Sequence, residues 1–255
     1  MATQMIEPWL FVTLTGVAVV TGFIDAIAGG GGLIMMPTLL FAGLPPHLAL
    51  GTNKVQSICG TTMATWRYRR AGLFRVGPHK LGVAVVFVGA LAGALTIQRI
   101  DGRALGLIVP VLLLAVALYT IFSPKMDDAE GHPRITERGY LPLAGGIGFY
   151  DGFFGPGTGS FFAVSLVGLR GLGLTRATGV AKLLNLTTNA ASVIVFAAGG
   201  QILWLLGLCM GLGSMTGAWL GAHSATRFGA RLIRPLLVTA SLALTGKLIW
   251  GWFAG

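Results

Sequence analysis

Long apolar stretches alternate with short polar ones along almost the whole chain. In the first half, the apolar runs cover 9–28, 33–43, 47–66, 81–98 and 104–122. After a polar stretch they resume at 140–156, 158–169, 174–198, 201–222 and 232–253. Several runs are long enough to cross a hydrocarbon layer of about 30 Å, which takes about 20 helical residues. The runs 33–43 and 158–169 are too short for that, and we predict half-helices or re-entrant segments there.

The composition supports a membrane protein. The chain has 255 residues, of which 54% are apolar and only 10% charged, whereas soluble domains carry about 25% charged residues. Lipid accepts apolar surface directly, so a membrane accommodates this excess. We therefore predict an all-α polytopic membrane protein. The segment 1–8 lacks Lys and Arg, so we expect the first apolar run to be retained rather than cleaved as a signal peptide.

The order of motifs in the first half recurs in the second. The matching pairs are Gly22-Phe23-Ile24-Asp25 with Gly148-Phe149-Tyr150-Asp151, Gly29-Gly30-Gly31 with Gly155-Pro156-Gly157, Gly51-Thr52-Asn53-Lys54 with Gly179-Val180-Ala181-Lys182, and Pro110 with Pro235. Four features in one order indicate duplication. We predict two pseudo-symmetric repeats of about five helical elements each, 1–122 and 140–255, joined by a hydrophilic linker loop at 123–139.

Loop charges predict how the two repeats are oriented. The stretch 67–80 is densely basic and is expected in the cytoplasm, while its counterpart 199–201 is uncharged. Conversely, 99–103 has little net charge, while its counterpart 223–234 is basic. Equivalent loops facing opposite sides favour an inverted repeat, which places a substrate site near the midplane between broken helices. A parallel arrangement of four plus four helices stays open.

Glycine-rich breaks at 29–32 and 155–159 are the first candidate for function. A short apolar stretch follows each break, and the N-terminus of a helix there would direct free N–H groups at an anion. The backbone candidates for anion binding are Gly30, Gly31, Gly157 and Thr158. The alternative is that these glycines only permit close helix packing.

Lys54 and Lys182 are the second candidate, because each lies in a segment able to enter the membrane. A lysine at the centre of a membrane helix costs about 2.5–3.5 kcal/mol on insertion scales, so an equivalent pair suggests anion binding. Polar residues share these segments, and we expect four of them to orient the substrate: Asn53, Ser57, Asn185 and Asn189. The alternatives are lysines that extend to the interface and interhelical hydrogen bonds.

Asp25 and Asp151 end equivalent Gly-Phe-x-Asp units just before the breaks. Each is either a proton carrier or counter-ion for lysine, or a cap for nearby backbone N–H groups. A carboxylate beside an anion site repels substrate unless it is protonated or paired. Proton coupling is therefore one expectation and a structural role the other.

Other function classes find little support. The four histidines are scattered, and no HExxH, GxSxG or Walker-type motif occurs, so we expect neither an enzyme nor a metal or cofactor. The formal charge of +10 is explained by cytoplasmic loops rather than by nucleic acid. Both cysteines lie within apolar segments, where small packing residues are expected.

The residues Gly22 to Gly32 followed by Gly51-Thr52-Asn53-Lys54 resemble the first signature of the TauE/SafE sulfite exporter family of bacterial transporters. The residues Gly148 to Gly159, with Thr178 to Lys182, resemble the second signature. The likeness covers nearly the whole chain, although Pro156 and Thr158 replace glycines of the first copy. The resemblance implies movement of sulfite, sulfoacetate or a related organosulfonate across the inner membrane.

We therefore predict a multi-pass secondary transporter of the bacterial inner membrane that binds a small sulfur-containing anion between its repeats. Its expected partners are this anion and the lipid bilayer. An anion channel that uses the same basic stripe is the first alternative, and a non-transporting membrane scaffold or membrane enzyme is the second. The direction of transport and the oligomeric state do not follow from the sequence.

Overall fold

All regular secondary structure in the described part of the chain is helical. The structure is a computed structural model that describes residues 7–121 and 127–229. Its helices are α1 Pro8–Ala28, α2 Gly31–Phe41, α3 Pro46–Arg70, α4 Lys80–Gln98, α5 Gly102–Ile121, α6 Glu137–Phe153, α7 Thr158–Arg170, α8 Leu174–Ala198 and α9 Trp204–Phe228. The predicted all-α fold is confirmed. Each of these helices corresponds to one apolar run, and the run 232–253 lies outside the described residues.

Two helix ends differ from the apolar pattern, and each has a local cause. The pattern places 137–139 in the polar linker, but α6 begins at Glu137 because the Thr136 hydroxyl caps it, accepting from the Gly139 N–H at 3.1 Å. Helix α3 continues to Arg70, which brings basic side chains into its last turn. Cations there interact favourably with the negative end of the helix dipole.

Four segments within the described residues are long and apolar enough to cross a membrane: Pro8–Ala28, Gly77–Gln98, Leu174–Ala198 and Trp204–Phe228. In contrast, α2 has 11 residues and α7 has 13. At 1.5 Å per residue these helices reach roughly 16–20 Å, well short of the hydrocarbon thickness. The expectation that both are too short to span alone is confirmed.

Glycine contacts bring the long helices together in corresponding pairs. Helix α1 packs along α9, and α6 packs along α4. A Cβ added to Gly22 in α1 would meet the backbone of Ser214 in α9, and one added to Gly148 in α6 would meet the backbone of Val86 in α4. Equivalent glycines of the two halves thus make equivalent close approaches.

The helix directions follow from which residues adjoin one another. Gly213 of α9 adjoins Thr15 of α1, and Gly221 adjoins Phe23. Since both numbers rise together, α1 and α9 run parallel. By the same reasoning α4 runs parallel to α6, because Gly89 adjoins Gly145 and Gly93 adjoins Phe149.

The central helices α3 and α8 run in opposite directions. Tyr68, near the end of α3, contacts Gly179 near the start of α8, and Gly51 near the start of α3 adjoins Gln201 just beyond the end of α8. These two helices occupy equivalent positions in the two halves. An inverted repeat requires this antiparallel relation, so the geometry is compatible with the predicted repeat.

Basic residues gather at one end of the bundle. At this end the final turn of α3 meets the last turns of α9 through Arg67 and His223, and it contacts the start of α8 where Tyr68 meets Gly179. The linker joins the same end, since the Thr175 N–H of α8 donates to Asp128. Ten described Lys and Arg residues lie there: Arg67, Arg69, Arg70, Arg75, Lys80, Arg134, Arg138, Arg170, Arg176 and Arg227. Arg99 and Arg103 lie at the opposite end. The positive-inside rule assigns the basic end to the cytoplasm.

Candidate functional site between the two halves

Two buried ion pairs link the halves at their centre. Lys54 Nζ of α3 lies 3.0 Å from Asp151 Oδ1 of α6, and Lys182 Nζ of α8 lies 2.8 Å from Asp25 Oδ2 of α1. Each lysine therefore pairs with the aspartate of the other half. Removing two charges from water is costly, and close pairing offsets that cost.

The two pairs differ in exposure and in hydrogen bonding. The side chains of Lys54 and Asp151 are each 2% exposed, whereas Asp25 is 24% exposed beside a 1% exposed Lys182. Asp25 also accepts a long hydrogen bond from the Gly31 N–H, at 3.4 Å, through its second oxygen. Asp25 thus contacts both a lysine and a backbone N–H, the two kinds of partner considered for it.

Among the described residues, Asp151 has no such second contact. Lys54 donates to the carboxylate of Asp151 and also to the backbone carbonyl of Asp151. Its other oxygen, Oδ2, is buried without a hydrogen-bond partner among the described residues. A buried acceptor in this state costs free energy, about 1–3 kcal/mol for a neutral group and more for a charged one.

The Gly-rich breaks contact each other beside these pairs. Gly29, with φ of +74°, adjoins Gly159, where a Cβ would meet backbone atoms. The Ser160 hydroxyl donates to the Ala28 carbonyl at 2.6 Å. In the second break, Gly155 and Gly157 have φ of +98° and +86°. Glycine alone adopts such backbone readily, which explains why both connections are rich in it.

A small polar cavity lies among the breaks and the ion pairs. Its volume is about 20 Å³, enough for one or two water molecules by the usual criterion of about 10–15 Å³ each. The lining residues come from both halves: Asp25, Gly29, Gly32, Asn53, Lys54, Ser57, Thr61, Asp151, Gly155, Gly157, Asn185 and Asn189. A sulfite ion or a larger organosulfonate therefore needs the cavity to widen.

Most of the predicted site residues come together here. Asp25, Asp151, Lys54, Asn53, Ser57, Asn185, Asn189 and Gly157 line the cavity. Lys182 does not line it, but its partner Asp25 does. Three predicted backbone positions also lie outside the lining: Gly30 at the start of α2, Gly31 next to it, and Thr158, whose hydroxyl donates to the Gly155 carbonyl.

The lining includes glycines at other positions of the breaks than those predicted. Gly29, Gly32 and Gly155 line the cavity, as does Thr61. Thr61 lies seven residues after Lys54 and four after Ser57, so the helical period identifies it as part of the same polar face. Helical periodicity does not extend into a break. Which of its glycines line the cavity therefore depends on φ values that the sequence does not supply.

The amides on α3 and α8 differ in their bonding. Asn189 donates to the Asn185 side-chain oxygen at 2.8 Å. Across the cavity, Asn53 Oδ1 is buried without a partner among the described residues. The site thus combines two ammonium groups, two carboxylates and several amides. No group of side chains suited to a metal ion occurs in the described ranges.

Comparison with known proteins supports a transport role for this architecture. The family profile described as "Sulfite exporter TauE/SafE" matches residues 14–248. The chain is 40% identical over 247 residues to "Probable membrane transporter protein YfcA" of Escherichia coli K12, an alignment that covers 96% of this chain and 92% of that protein.

Two further relatives are similarly close. A "Probable membrane transporter protein" of Haemophilus influenzae is 43% identical over 247 residues, covering 96% of this chain and 97% of its own length. "Probable membrane transporter protein ORF9" of Sinorhizobium sp. is 45% identical over 233 residues, covering 91% and 89%. No solved structure matches the chain.

Proposed function

The chain belongs to the sulfite exporter TauE/SafE family of membrane transporters, and we propose that it carries a small sulfur-containing anion across the bacterial inner membrane by a secondary mechanism. The substrate class is sulfite, sulfoacetate or a related organosulfonate. The observation that carries this proposal is the pair of Lys–Asp ion pairs that join the halves around one polar cavity.

The lysines supply the positive charge that attracts the anion, and the aspartates neutralise that charge while substrate is absent. A lysine without a counter-ion is expensive in the membrane, so the carboxylates stabilise the empty carrier. An entering sulfonate or sulfite oxygen replaces a carboxylate oxygen at Lys54 or Lys182. The amides of Asn53 and Asn185 then donate to the remaining oxygens, and Asn189, whose amide donates to Asn185, orients that neighbour.

Charge balance in the cavity supports proton coupling. The two lysines and two aspartates have formal charges that sum to zero, so an added anion leaves uncompensated negative charge in a medium of low dielectric constant. Protonation of one carboxylate removes that excess. One proton on a carboxylate therefore balances one negative charge of the substrate.

Asp151 is the carboxylate we assign to carry the proton. Its Oδ2 is buried without a described partner, whereas both oxygens of Asp25 are engaged. A proton on Oδ2 weakens the attraction for Lys54, which becomes available to the anion. The other charged side chain that lines the cavity is Asp25, and the Tyr150 hydroxyl next in sequence is directed at the Pro156 carbonyl.

The size of the cavity favours a carrier over a channel. A channel needs a continuous water-filled path, but the central cavity has a volume of about 20 Å³. The contact between the two breaks at Gly29 and Gly159 must open for an anion to enter. This requirement suits alternating access, in which the halves move against each other about the site.

Counter-flow in proteoliposomes tests the substrate class. Vesicles are loaded with unlabelled sulfite or sulfoacetate, and uptake of the labelled anion is followed. We expect transient accumulation that saturates with substrate, while chloride-loaded vesicles show none. If correctly folded protein accumulates neither sulfur anion, the proposed substrate class is wrong. Currents that rise without saturation would favour the channel instead.

A further inference from the structure

A second and much larger cavity lies at the basic end of the bundle. Its volume is about 490 Å³, within the range of about 300–1,000 Å³ that is usual for small-molecule sites. It is bounded by the segment 72–79 after α3, the first turns of α6 and α8, and the last turn of α7. The concentration of basic residues at this end assigns it to the cytoplasmic side.

Three arginines line this cavity, and we name it the arginine cavity. They are Arg75, Arg170 and Arg176, and the acidic residue of the lining is Glu137. Glu137 already contacts His79, with 3.4 Å between Oε1 and Nδ1. The positive charge of the lining therefore exceeds the negative charge.

Much of the donor capacity of these arginines remains available. Arg170 uses one nitrogen to donate to the Ile135 carbonyl, at 2.5 Å. Arg176 uses one nitrogen for Glu130, at 2.7 Å, in a pair whose side chains are 50% and 60% exposed. A guanidinium has five N–H donors, and a half-exposed ion pair is weak and exchangeable.

Much of the remaining wall is apolar. Leu73 and Phe74 follow α3, Leu141 belongs to α6, and Leu166 and Leu172 come from α7 and the segment after it. A site with guanidinium groups beside aliphatic and aromatic surface suits an amphiphilic anion better than a fully hydrated inorganic ion. Guanidinium forks also match the spacing of phosphate oxygens.

Helix α8 separates the arginine cavity from the central site. Val180 and Leu184, one turn apart, line the arginine cavity, whereas Asn185 and Asn189 line the central one. At 100° per residue, Asn185 and Asn189 lie about 100–180° around the helix from Val180 and Leu184. The two cavities therefore use different faces of α8, and an occupant of one does not contact the other.

We propose that the arginine cavity binds a phosphate ester, with the phosphate on the three arginines and an apolar portion against the leucines. An anionic phospholipid of the cytoplasmic leaflet supplies this chemistry, and basic pockets between membrane helices on that side recognise such headgroups. Soluble phosphate compounds share the same charged group. This binding is separate from transport of the sulfur anion.

The test uses the purified full chain in detergent and does not depend on transport. Native mass spectrometry compares retention of phosphatidylglycerol with that of zwitterionic phosphatidylcholine, and a thermal-unfolding titration uses inorganic phosphate at constant ionic strength. The test variant is Arg75→Gln with Arg176→Gln. The control, Arg69→Gln with Arg227→Gln, removes the same charge from the same end, at exposed residues outside the cavity lining.

We expect selective binding of phosphatidylglycerol that weakens about tenfold or more in the test variant, since charged hydrogen bonds contribute about 1.5–3 kcal/mol each. The control variant should bind like wild type. Stabilisation by inorganic phosphate with the same arginine dependence would identify a soluble source. Absence of binding by both probes, or an equal loss in the control variant, would overturn the proposal. Sulfite counter-flow tests the central site independently of either result.

Discussion

Asp25 and Asp151 occupy equivalent positions in the sequence but differ in their surroundings. Asp25 is partly exposed and has contacts on both oxygens, while Asp151 is buried with one oxygen unpartnered among the described residues. The unpartnered Oδ2 of Asp151 is therefore the carboxylate oxygen without a competing contact among the described residues. The proton coupling that we propose therefore involves one of two residues that look alike in sequence.

We expect Asp151→Asn to abolish proton coupling while counter-flow exchange of substrate persists. An amide in place of the carboxylate mimics the protonated side chain, so Lys54 stays available to the anion without a proton. Uptake of labelled sulfite is measured with and without an imposed pH gradient. Wild type should accumulate substrate in response to the gradient, and Asp151→Asn should not.

Asp25→Asn is the matched comparison for that experiment. It removes the same charge from the equivalent position but leaves Asp151 and Lys54 unchanged, so we expect the response to the pH gradient to remain. If Asp25→Asn abolishes the response and Asp151→Asn does not, the assignment of the proton carrier is reversed. If both variants respond like wild type, neither aspartate couples transport to protons.

The sequence does not predict which aspartate pairs with each of the two buried lysines. The sequence identifies Lys54, Lys182 and both aspartates as unusual, because charge is rare in apolar segments. Pairing across the halves depends on how α3 lies against α6 and α8 against α1, and no spacing within one segment contains that information. The asymmetry between the two pairs likewise arises from packing, not from the repeated motif.

Single helices were the most predictable elements. Apolar runs bounded by Gly and Pro predict each helix from α1 to α9, because a membrane helix must satisfy its own backbone within an apolar stretch. The start of α6 was missed, since its cap at Thr136 falls among polar residues that resemble a loop. The sequence also does not predict the path of the chain through the two breaks, because that path depends on the backbone angles at Gly29, Gly155 and Gly157.

Close packing between α4 and α6 gives a prediction at the scale of elements. We expect Gly148→Ala to lower the apparent melting temperature, because the added Cβ would meet the backbone of Val86 at 2.9 Å or less. Gly146→Ala is the matched control on the same helix, with open space around the added Cβ. Thermal unfolding in detergent measures both variants.

Gly146→Ala should be neutral or slightly stabilising, since alanine exceeds glycine in helix propensity by about 1 kcal/mol. The packing account predicts that only Gly148→Ala destabilises the protein, by about 1–3 kcal/mol for an overpacked contact. Equal melting temperatures for the two variants would mean that α4 and α6 are not held at this distance.

At the scale of the whole molecule, the antiparallel arrangement of α3 and α8 puts equivalent helix ends at opposite ends of the bundle. The loop charges already predict this relation, and the helix directions in the structure are compatible with it. The arginine cavity was not predicted, although the sequence shows all three arginines. Their convergence involves three separate segments, and each arginine taken alone indicates only which end faces the cytoplasm.

Accessibility of single cysteines tests this orientation in intact cells. In a background where Cys59 and Cys209 are replaced by alanine, we expect Arg99→Cys to react with a membrane-impermeant maleimide added outside. Ala71→Cys, at the other end of the bundle, should react only after the membrane is permeabilised. Both positions are exposed in the structure. External labelling of both, or of Ala71→Cys alone, would contradict the proposed orientation.

The central claim is that the two buried lysines bind the transported anion between the halves. Binding of sulfite to purified protein, measured by titration calorimetry, tests it most directly. The variants are Lys54→Ala together with Asp151→Ala, which removes a whole ion pair and leaves no buried charge unpaired, and Lys80→Ala, which removes a lysine outside the cavity. We expect the first to bind at least about tenfold more weakly, since each charged hydrogen bond contributes about 1.5–3 kcal/mol, and the second to bind like wild type. Wild-type affinity in the folded double variant would contradict the claim.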